Sequence, residues 1–182
     1  MVKDNEVRDD DSLVRLVQKQ DAEAFGVLYE RHFDKIYRYF AFKTGDRTEA
    51  EDLTQQVFFK AWDAIGSYKP KGLPFSSWLF RIAHNKLVDY FRSKSKTELP
   101  LGDIDAPGGS DPASVVEQVL SSEELAEACK CLPELHQEVI SLRFAAGLST
   151  AEVAKAMGKS EGAVKAMQHS ALVELRRILS PD

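Results

Sequence analysis

Residues 148–165, LSTAEVAKAMGKSEGAVK, decide the fold of the C-terminal part of the chain. Ser149 and Glu152 have the spacing of a capping box, in which each side chain bonds a free backbone N–H at the start of a helix. Gly158 is expected to end that helix, and Ser160 is expected to cap a longer one. Two helices joined by a glycine-containing turn are typical of a helix-turn-helix.

The outer face of the second helix of this motif consists of small and polar residues. At 100° per residue, this face holds Gly162, Lys165, Ala166 and His169, opposite the apolar stripe. The second helix of a DNA-binding helix-turn-helix enters the major groove, where small residues permit close approach and Lys165 could meet a phosphate or a guanine. An ordinary amphipathic helix in a three-helix bundle would show the same periodicity, so the pattern leaves both interpretations open.

Apolar residues recur at helical spacing upstream as well, and no stretch alternates convincingly as a strand would. We predict a helix capped by Asp21, a second that opens at a capping box of Thr48 and Glu51 and ends at Gly66, and a third from about 75 to 93. Three helices with short connections form a compact bundle. The core-facing side of the second helix is predicted to consist of Leu53, Val57, Phe58, Ala61, Trp62 and Ile65.

A stretch rich in proline, glycine and acidic residues separates the two helical parts. Residues 98–116 contain few bulky apolar side chains, so burial cannot offset the entropy of ordering them, and a flexible acidic linker is predicted. The predicted fold class is all-α, with two small helical domains. The predicted division is an acidic N-terminal segment at 1–20, a helical bundle at 21–97, the linker at 98–116 and a helix-turn-helix domain at 117–182.

The formal net charge of −5 hides two basic segments. Residues 66–96 carry seven Lys and Arg against one Asp, and residues 141–180 carry six against three acids, whereas residues 97–128 carry eight acids and no Lys or Arg. A phosphate-binding surface needs a local positive field rather than a positive total charge.

The acidic start is unlike a signal peptide, no apolar run reaches the roughly 18 residues of a membrane span, and two cysteines do not make a secreted disulfide scaffold. We therefore expect a cytoplasmic protein.

The third helix and the loop before it combine basic and aromatic side chains. This mixture suits single-stranded nucleic acid, because bases stack on rings while cations meet phosphates. A solvated basic face beside buried rings would explain any one of these residues equally well. The residues are Arg81, Asn85 and Arg92 within a narrow arc of the helix, and Tyr68, Lys69, Lys71 and Phe75 around the loop.

Phe59 lies in the polar face of the second helix, beside Asp52, Gln55 and Gln56. A single exposed apolar residue is common on protein surfaces. Alternatively, Phe59 anchors a partner protein while the amides and the carboxylate form a polar rim.

No residue pattern in the chain is typical of catalysis. The four histidines are scattered, His32 falls in an apolar stripe where a core role is expected, and neither a phosphate-binding glycine loop nor a nucleophile elbow is present. Cys129 and Cys131 would diverge by about 200° on a helix and could not face one ion. We expect no enzymatic activity, no cofactor and no metal.

Four stretches together resemble the sigma-70 family of bacterial RNA polymerase sigma factors. Residues 52–62 (DLTQQVFFKAW) are similar to the helix that binds core polymerase, and residues 75–85 (FSSWLFRIAHN) with 89–92 (DYFR) are similar to the promoter-melting helix. Residues 132–144 (LPELHQEVISLRF) and 160–165 (SEGAVK) resemble region 4 of the family. Order and spacing agree over roughly residues 21–179, and the presence of these two regions alone resembles the extracytoplasmic-function (ECF) group.

The resemblance implies a factor that binds core polymerase, directs it to specific promoters and helps to melt the minus-ten element. Docking on the coiled coil of the beta-prime subunit is implied for Asp52, Gln55, Gln56 and Phe59. Minus-ten binding is implied for Tyr68, Lys69, Lys71, Arg81, Asn85 and Arg92, with the loop at 67–74 holding a flipped base. Minus-thirty-five binding is implied for Ser160, Gly162, Ala163, Lys165, Ala166 and His169.

The partners implied by the resemblance are the beta-prime and beta subunits of core RNA polymerase, promoter DNA and an anti-sigma factor that could hold the chain at the membrane. The chain departs from the family at residues 167–170, where family members often carry several arginines. Two alternatives stay open. A free-standing helix-turn-helix regulator would need no exposed Phe59, whereas an adaptor or decoy that competes for polymerase would suit the overall acidity.

Overall fold

The computed structural model describes residues 8–70, 72–97 and 122–180, and all regular structure in them is helical, which confirms the all-α prediction. The predicted linker at 98–116 lies outside the described residues. The N-terminal helices are α1 (Asp10–Val17), α2 (Ala22–Thr44), α3 (Arg47–Ala64), a 3₁₀ turn (Ile65–Ser67) and α4 (Phe75–Thr97). The C-terminal helices are α5 (Ser122–Lys130), α6 (Glu134–Ile140), a π-helical turn (Ser141–Ala145), α7 (Thr150–Met157) and α8 (Glu161–Leu179).

Side-chain caps fix most of the helix starts. Asp21 caps α2, and Ser160 caps α8 through a bond from the backbone N–H of Ala163. Both halves of the capping box predicted for α7 are present, between Ser149 and Glu152. The capping box predicted at Thr48 and Glu51 is wrong, because the N-cap of α3 is Asp46, two residues before Thr48.

Asp46 caps α3, since its carboxylate accepts from the backbone N–H groups of Thr48 and Glu49. Gly45 ends α2 in the left-handed region, with φ 68°, and so reverses the chain. The reversal leaves Asp46 extended, in the conformation of an N-cap residue.

The N-terminal helices pack around large buried side chains of α2 and α4. Tyr39, Phe40, Phe75 and Phe80 are almost wholly buried. The tyrosine ring packs edge-on against Phe80, with ring centroids 5.6 Å apart. These contacts hold α4 across α2, and this positions the outer face of α4.

The short helix α1 is packed into this bundle through Leu13, Val14 and Val17, which are buried. Asp10 joins it to α2, because its carboxylate lies 2.7 Å from Nε2 of His32 and 2.6 Å from Nη1 of Arg31. Burial alone would raise the pKa of Asp10, but the bonds from His32 and Arg31 outweigh burial and lower it. His32 is buried, as expected from its place in the apolar stripe.

The C-terminal helices pack directly on the N-terminal bundle. The π-helical turn contacts α2, and α7 contacts α4. Leu142, Leu148 and Val153 thereby join the same apolar core as the N-terminal helices. A smaller cluster lies between α5, α6 and α8, and Phe42 of α2 packs against it.

Leu28 tests the N-terminal core, since its side chain is fully buried on α2. We expect Leu28→Ala to lower the free energy of unfolding by about 2–5 kcal/mol, because the cavity adds to the lost transfer energy. Val173→Ala is the control, because Val173 is 56% exposed on α8. Urea unfolding followed by circular dichroism measures both variants, and equal effects would contradict this core.

Candidate interaction surfaces

The outer face of α3 carries the predicted polymerase-binding residues, all of them exposed. Phe59 is 73% exposed, the most exposed large apolar side chain among the described residues. It lines an open cavity of about 460 Å³. The predicted residues on this face are Asp52, Gln55, Gln56 and Phe59. The cavity is lined by Phe25, Tyr29, Gln55, Phe58, Phe59 and Trp62.

Trp62 differs from the prediction that it faces the core, since it is 41% exposed. Its ring packs edge-on against Phe25 of α2, with centroids 4.9 Å apart. A large ring at the margin of the α2–α3 contact is therefore half-covered. Periodicity assigns a residue to a helix face but does not report where the neighbouring helix ends.

The loop between α3 and α4 is shaped by Tyr68. This side chain is 5% exposed, its hydroxyl donates to the carbonyl of Leu73 at 2.6 Å, and its ring lies 4.8 Å from that of Trp78. Burial, together with the charges of Asp11 and Asp10, raises the pKa of Tyr68 to about 12. The ring of Tyr68, which was predicted to stack on a base, thus faces the protein interior.

Other residues of this loop are placed differently. Lys69 is exposed, whereas Lys71 lies outside the described residues. Phe75, a second predicted stacking ring, is buried. Gln18, directly after α1, holds the start of the loop, because its amide donates to the carbonyls of Ile65 and Tyr68 at 2.9 Å each. The sequence gives no signal for Gln18, since no helix is predicted before Asp21 and a lone glutamine there is unremarkable.

The predicted residues of α4 are exposed, as an arc on its outer side. Asn85 has no described partner, and Arg92 lies 3.6 Å from Asp89 on the same helix. Arg81 is engaged with α7, because its guanidinium donates to the carbonyls of Lys155 at 2.7 Å and Ala156 at 3.3 Å. One of the three predicted strand-binding residues therefore bonds the C-terminal part of the chain.

The predicted minus-thirty-five residues share the solvent side of the first turns of α8. The opposite side is anchored by Val164, Ala171 and Leu175, which are buried. The residues on the solvent side are Ser160, Gly162, Ala163, Lys165, Ala166 and His169.

Arg143 holds the helix-turn-helix together and was not singled out from the sequence. Its Nε donates to the side-chain oxygen of Gln168 on α8 at 3.0 Å, and its Nη1 donates to the carbonyl of Leu148. The guanidinium thus bridges the turn before α7 to α8. The exposed ring of Phe144 lies beside it, with 5.8 Å between the guanidinium carbon and the ring centroid.

Two family models and a curated relative match this chain. A model of Sigma-70 region 2 matches residues 28–97, and a model of Sigma-70, region 4, matches residues 128–177. The chain is 31% identical over 161 residues to the ECF RNA polymerase sigma factor SigL of Mycobacterium tuberculosis, which covers 87% of this chain and 90% of SigL. This chain belongs to the ECF sigma factors. Its two sigma-70 regions are those of a promoter-directed transcription initiation factor.

A second relative and a solved structure are also similar to this sigma factor. It is 39% identical over 173 residues to the ECF RNA polymerase sigma factor BldN of Streptomyces coelicolor, which covers 93% of this chain and 66% of BldN. The chain thus spans about two thirds of the length of that relative. Among solved structures, CnrH in complex with the cytosolic domain of CnrY superposes with a TM-score of 0.69 at 27% identity, over 95% of this chain and 98% of CnrH.

Within residues 8–70, 72–97 and 122–180, no helix of the sigma factor is long and apolar enough to cross a membrane. The same residues hold no cluster of three or more His, Cys, Asp or Glu side chains placed to bind a metal ion. Cys129 is buried, and burial raises the pKa of its thiol, whereas Cys131 is exposed.

Glu138 of α6 is the most heavily partnered acid of the sigma factor among the described residues. It is 7% exposed, and its carboxylate accepts from the hydroxyl of Tyr39 at 2.8 Å. Nζ of Lys43 lies 2.9 Å away and Nδ1 of His84 lies 3.1 Å away. Burial alone would raise the pKa of Glu138, but the bond with His84 and the charge of Lys43 lower it to about 2.

This depressed pKa predicts a pH dependence of stability. The ordinary pKa of the group is 4.5, so its contribution is fully present above about pH 4.5 and is lost as the pH falls toward 2. We expect Glu138→Gln to lower the free energy of unfolding by about 3 kcal/mol at pH 7, since Lys43 loses its counter-charge. The difference from wild type should shrink as the pH falls from about 4.5 toward 2, as urea unfolding at each pH would measure.

Glu134→Gln is the matched control, because Glu134 is exposed one turn earlier on α6. A Glu138→Gln difference that stays constant with pH would contradict the ion pairs described here.

Proposed function

We propose that three surfaces of this chain divide the work of a sigma factor. The α3 face docks on the beta-prime subunit of core polymerase, the outer arc of α4 and the preceding loop hold the melted minus-ten strand, and α8 reads the minus-thirty-five element. The chain itself makes and breaks no bond, and it acts in the cytoplasm together with polymerase. The observation that carries the proposal is the match of both sigma-70 regions to the domains that display these surfaces.

The decisive experiment is run-off transcription with purified bacterial core polymerase, this chain and a pool of promoter fragments. Starts at defined sites only when the chain is added support the proposal, and the enriched fragments reveal the promoter. A stable polymerase complex without defined starts would favour the adaptor or decoy instead. Failure to bind polymerase would overturn the assignment.

Phe59 is the proposed anchor of the polymerase contact. An exposed aromatic ring beside an apolar cavity, surrounded by Gln55, Gln56 and Asp52, has the make-up of a binding hot spot with a polar rim. A free-standing DNA-binding protein would gain nothing from such exposure. This surface therefore favours the sigma-factor interpretation over that alternative.

We expect Phe59→Ala to weaken binding to core polymerase by about 30-fold, corresponding to the loss of roughly 2 kcal/mol at a hot spot. Fluorescence anisotropy of the labelled chain, titrated with core polymerase in the absence of DNA, measures this affinity. Phe91→Ala is the matched control, since Phe91 is 43% exposed on α4. Equal affinity of the Phe59→Ala variant and wild type would remove Phe59 from the interface.

The proposed minus-ten site rests on the exposed Lys69, Arg81, Asn85 and Arg92, which supply three cations and an amide. Tyr68 takes part by fixing the loop rather than by stacking on a base, because its ring is covered. A flipped base costs a few kcal/mol, and a tyrosine that is already held in place adds no further ordering cost to that step.

The proposed minus-thirty-five site rests on the small exposed residues of α8, which let the helix approach the floor of the major groove. Gly162, Ala163 and Ala166 leave this approach unobstructed, while Lys165 and His169 supply the polar contacts. Gln168 and Ser170 flank His169 at positions where family members often carry arginines. Because these two side chains are uncharged, binding should depend more on shape and neutral hydrogen bonds than on ion pairs.

Lys165→Ala distinguishes a phosphate contact from a base contact. If Lys165 meets a phosphate, the log–log salt slope of binding to a duplex selected in the run-off assay should fall by about one, uniformly across sequences. If it meets a guanine, affinity should fall about 10- to 100-fold only for duplexes that carry that base. Arg177→Ala is the control, because Arg177 is exposed at the far end of α8 and paired with Glu174.

An unchanged salt slope and unchanged sequence preference in the Lys165→Ala variant would remove Lys165 from the duplex interface.

We further propose that a separate anti-sigma protein regulates the chain. The support is the likeness to CnrH, which was solved with the cytosolic domain of CnrY bound to it. Co-purification with a tagged copy of this chain, followed by inhibition of run-off transcription with the recovered protein, tests the proposal.

A further inference from the structure

The short helix α1 lies outside the part of the chain that matches the region 2 model, yet the residue after it bonds the loop between α3 and α4. The match begins at residue 28, whereas α1 ends at Val17. The side-chain amide of Gln18 donates to the carbonyls of Ile65 and Tyr68. Ile65 begins the 3₁₀ turn that follows α3, and Tyr68 comes directly after that turn. One amide group therefore holds both ends of the turn from which the loop departs.

The backbone around Gln18 fixes the direction of its side chain. The N–H of Gln18 donates to the carbonyl of Val14 at 2.9 Å, where α1 ends. The chain then reverses, because Gln20 lies in the left-handed region with φ 71° and the N–H of Asp21 donates to the carbonyl of Leu16 at 3.1 Å. A residue other than glycine keeps such a conformation only where the surrounding structure holds it.

The other end of α1 is fixed to α2. The carboxylate of Asp10 pairs with Arg31 and with His32, whose side chain is buried. The apolar side chains between the two ends of α1 are buried in the bundle, and they are Leu13, Val14 and Val17. A helix held at both ends and along its inner side therefore joins α2 to the loop.

The bonds of Gln18 act on the loop rather than on the core. Gln18 itself is exposed, so replacing its side chain removes no apolar packing. Tyr68 is held at its backbone carbonyl by Gln18 and at its hydroxyl by the carbonyl of Leu73. Because Tyr68 is held at both points, it loses little further conformational entropy when a base binds beside it.

We propose that Gln18 is a positioning residue for promoter recognition, which holds the carbonyls of Ile65 and Tyr68 so that the loop receives a minus-ten base in one orientation. The proposal rests on the function proposed for this loop. Gln18 acts through the loop rather than by contact with DNA. Without its two bonds the turn can adopt more orientations, so bases that fit less well are accepted and discrimination between promoters falls.

The first arm of the test measures the loop without DNA. Gln18→Glu keeps the shape of the side chain but offers neither carbonyl a proton at neutral pH. Gln20→Glu is the matched control, because it adds the same charge at an exposed position two residues away. The readout is hydrogen exchange, measured by NMR, of the backbone N–H of Tyr68, which donates to the carbonyl of Ile65 at 3.2 Å.

We expect this N–H to exchange about tenfold faster in the Gln18→Glu variant than in wild type and the control, the factor expected when one or two ordinary hydrogen bonds are lost. Exchange at the wild-type rate would overturn the positioning role. Gln18→Ala removes the donors without adding a charge, so it should behave as Gln18→Glu does. An effect of Gln18→Glu alone would assign the change to charge and would also overturn the role.

The second arm uses run-off transcription of a fragment selected in the earlier assay and of fragments with each other base at every minus-ten position. We expect the Gln18 variants to lose about tenfold in discrimination at a minus-ten position, with unchanged discrimination at the minus-thirty-five element and unchanged affinity for core polymerase. Faster exchange with wild-type discrimination would overturn the positioning role alone. If wild type itself directs no defined starts, the proposed function fails and the positioning role fails with it.

Discussion

A carboxylate that is more than nine-tenths buried cannot remain charged unless neighbouring groups replace the water it has lost. Glu138 meets this constraint with a hydroxyl, an ammonium and an imidazole, all taken from the opposite part of the chain. The orientation of α6, and with it the helix-turn-helix that follows, is thus set against α2 and α4. Apolar contacts of the π-helical turn and of α7 fill the space around this polar centre.

In this arrangement, the three proposed surfaces differ in how far other parts of the chain occupy them. The α3 face lies away from the contact between the two parts, and Phe59 is open to solvent. The reading side of α8 is also exposed. Only the α4 arc is partly occupied, at Arg81.

Local signals in the sequence predicted most of the helices, because caps and periodicity act within a few residues, but they did not predict α1 within the acidic segment at 1–20. Ser149, Glu152 and Ser160 illustrate this, and the N-cap of α3 differs from the prediction by two residues, at Asp46 instead of Thr48. The buried position of Tyr68, the half-exposed Trp62 and the partners of Glu138 depend on which helices pack together. The hydrogen bonds of Glu138 to His84 and Tyr39, for example, join residues 54 and 99 positions apart, so no local pattern could reveal them.

The bond from Gln18 to the carbonyl of Tyr68, with the closure of Tyr68 on Leu73, has a consequence for engineering. The loop is held by α1 from one side and by its own tyrosine from the other. The promoter preference proposed for this loop would therefore not be carried by the loop alone. Transplanting it into a related factor would move the specificity only if the glutamine at the end of α1 travelled with it.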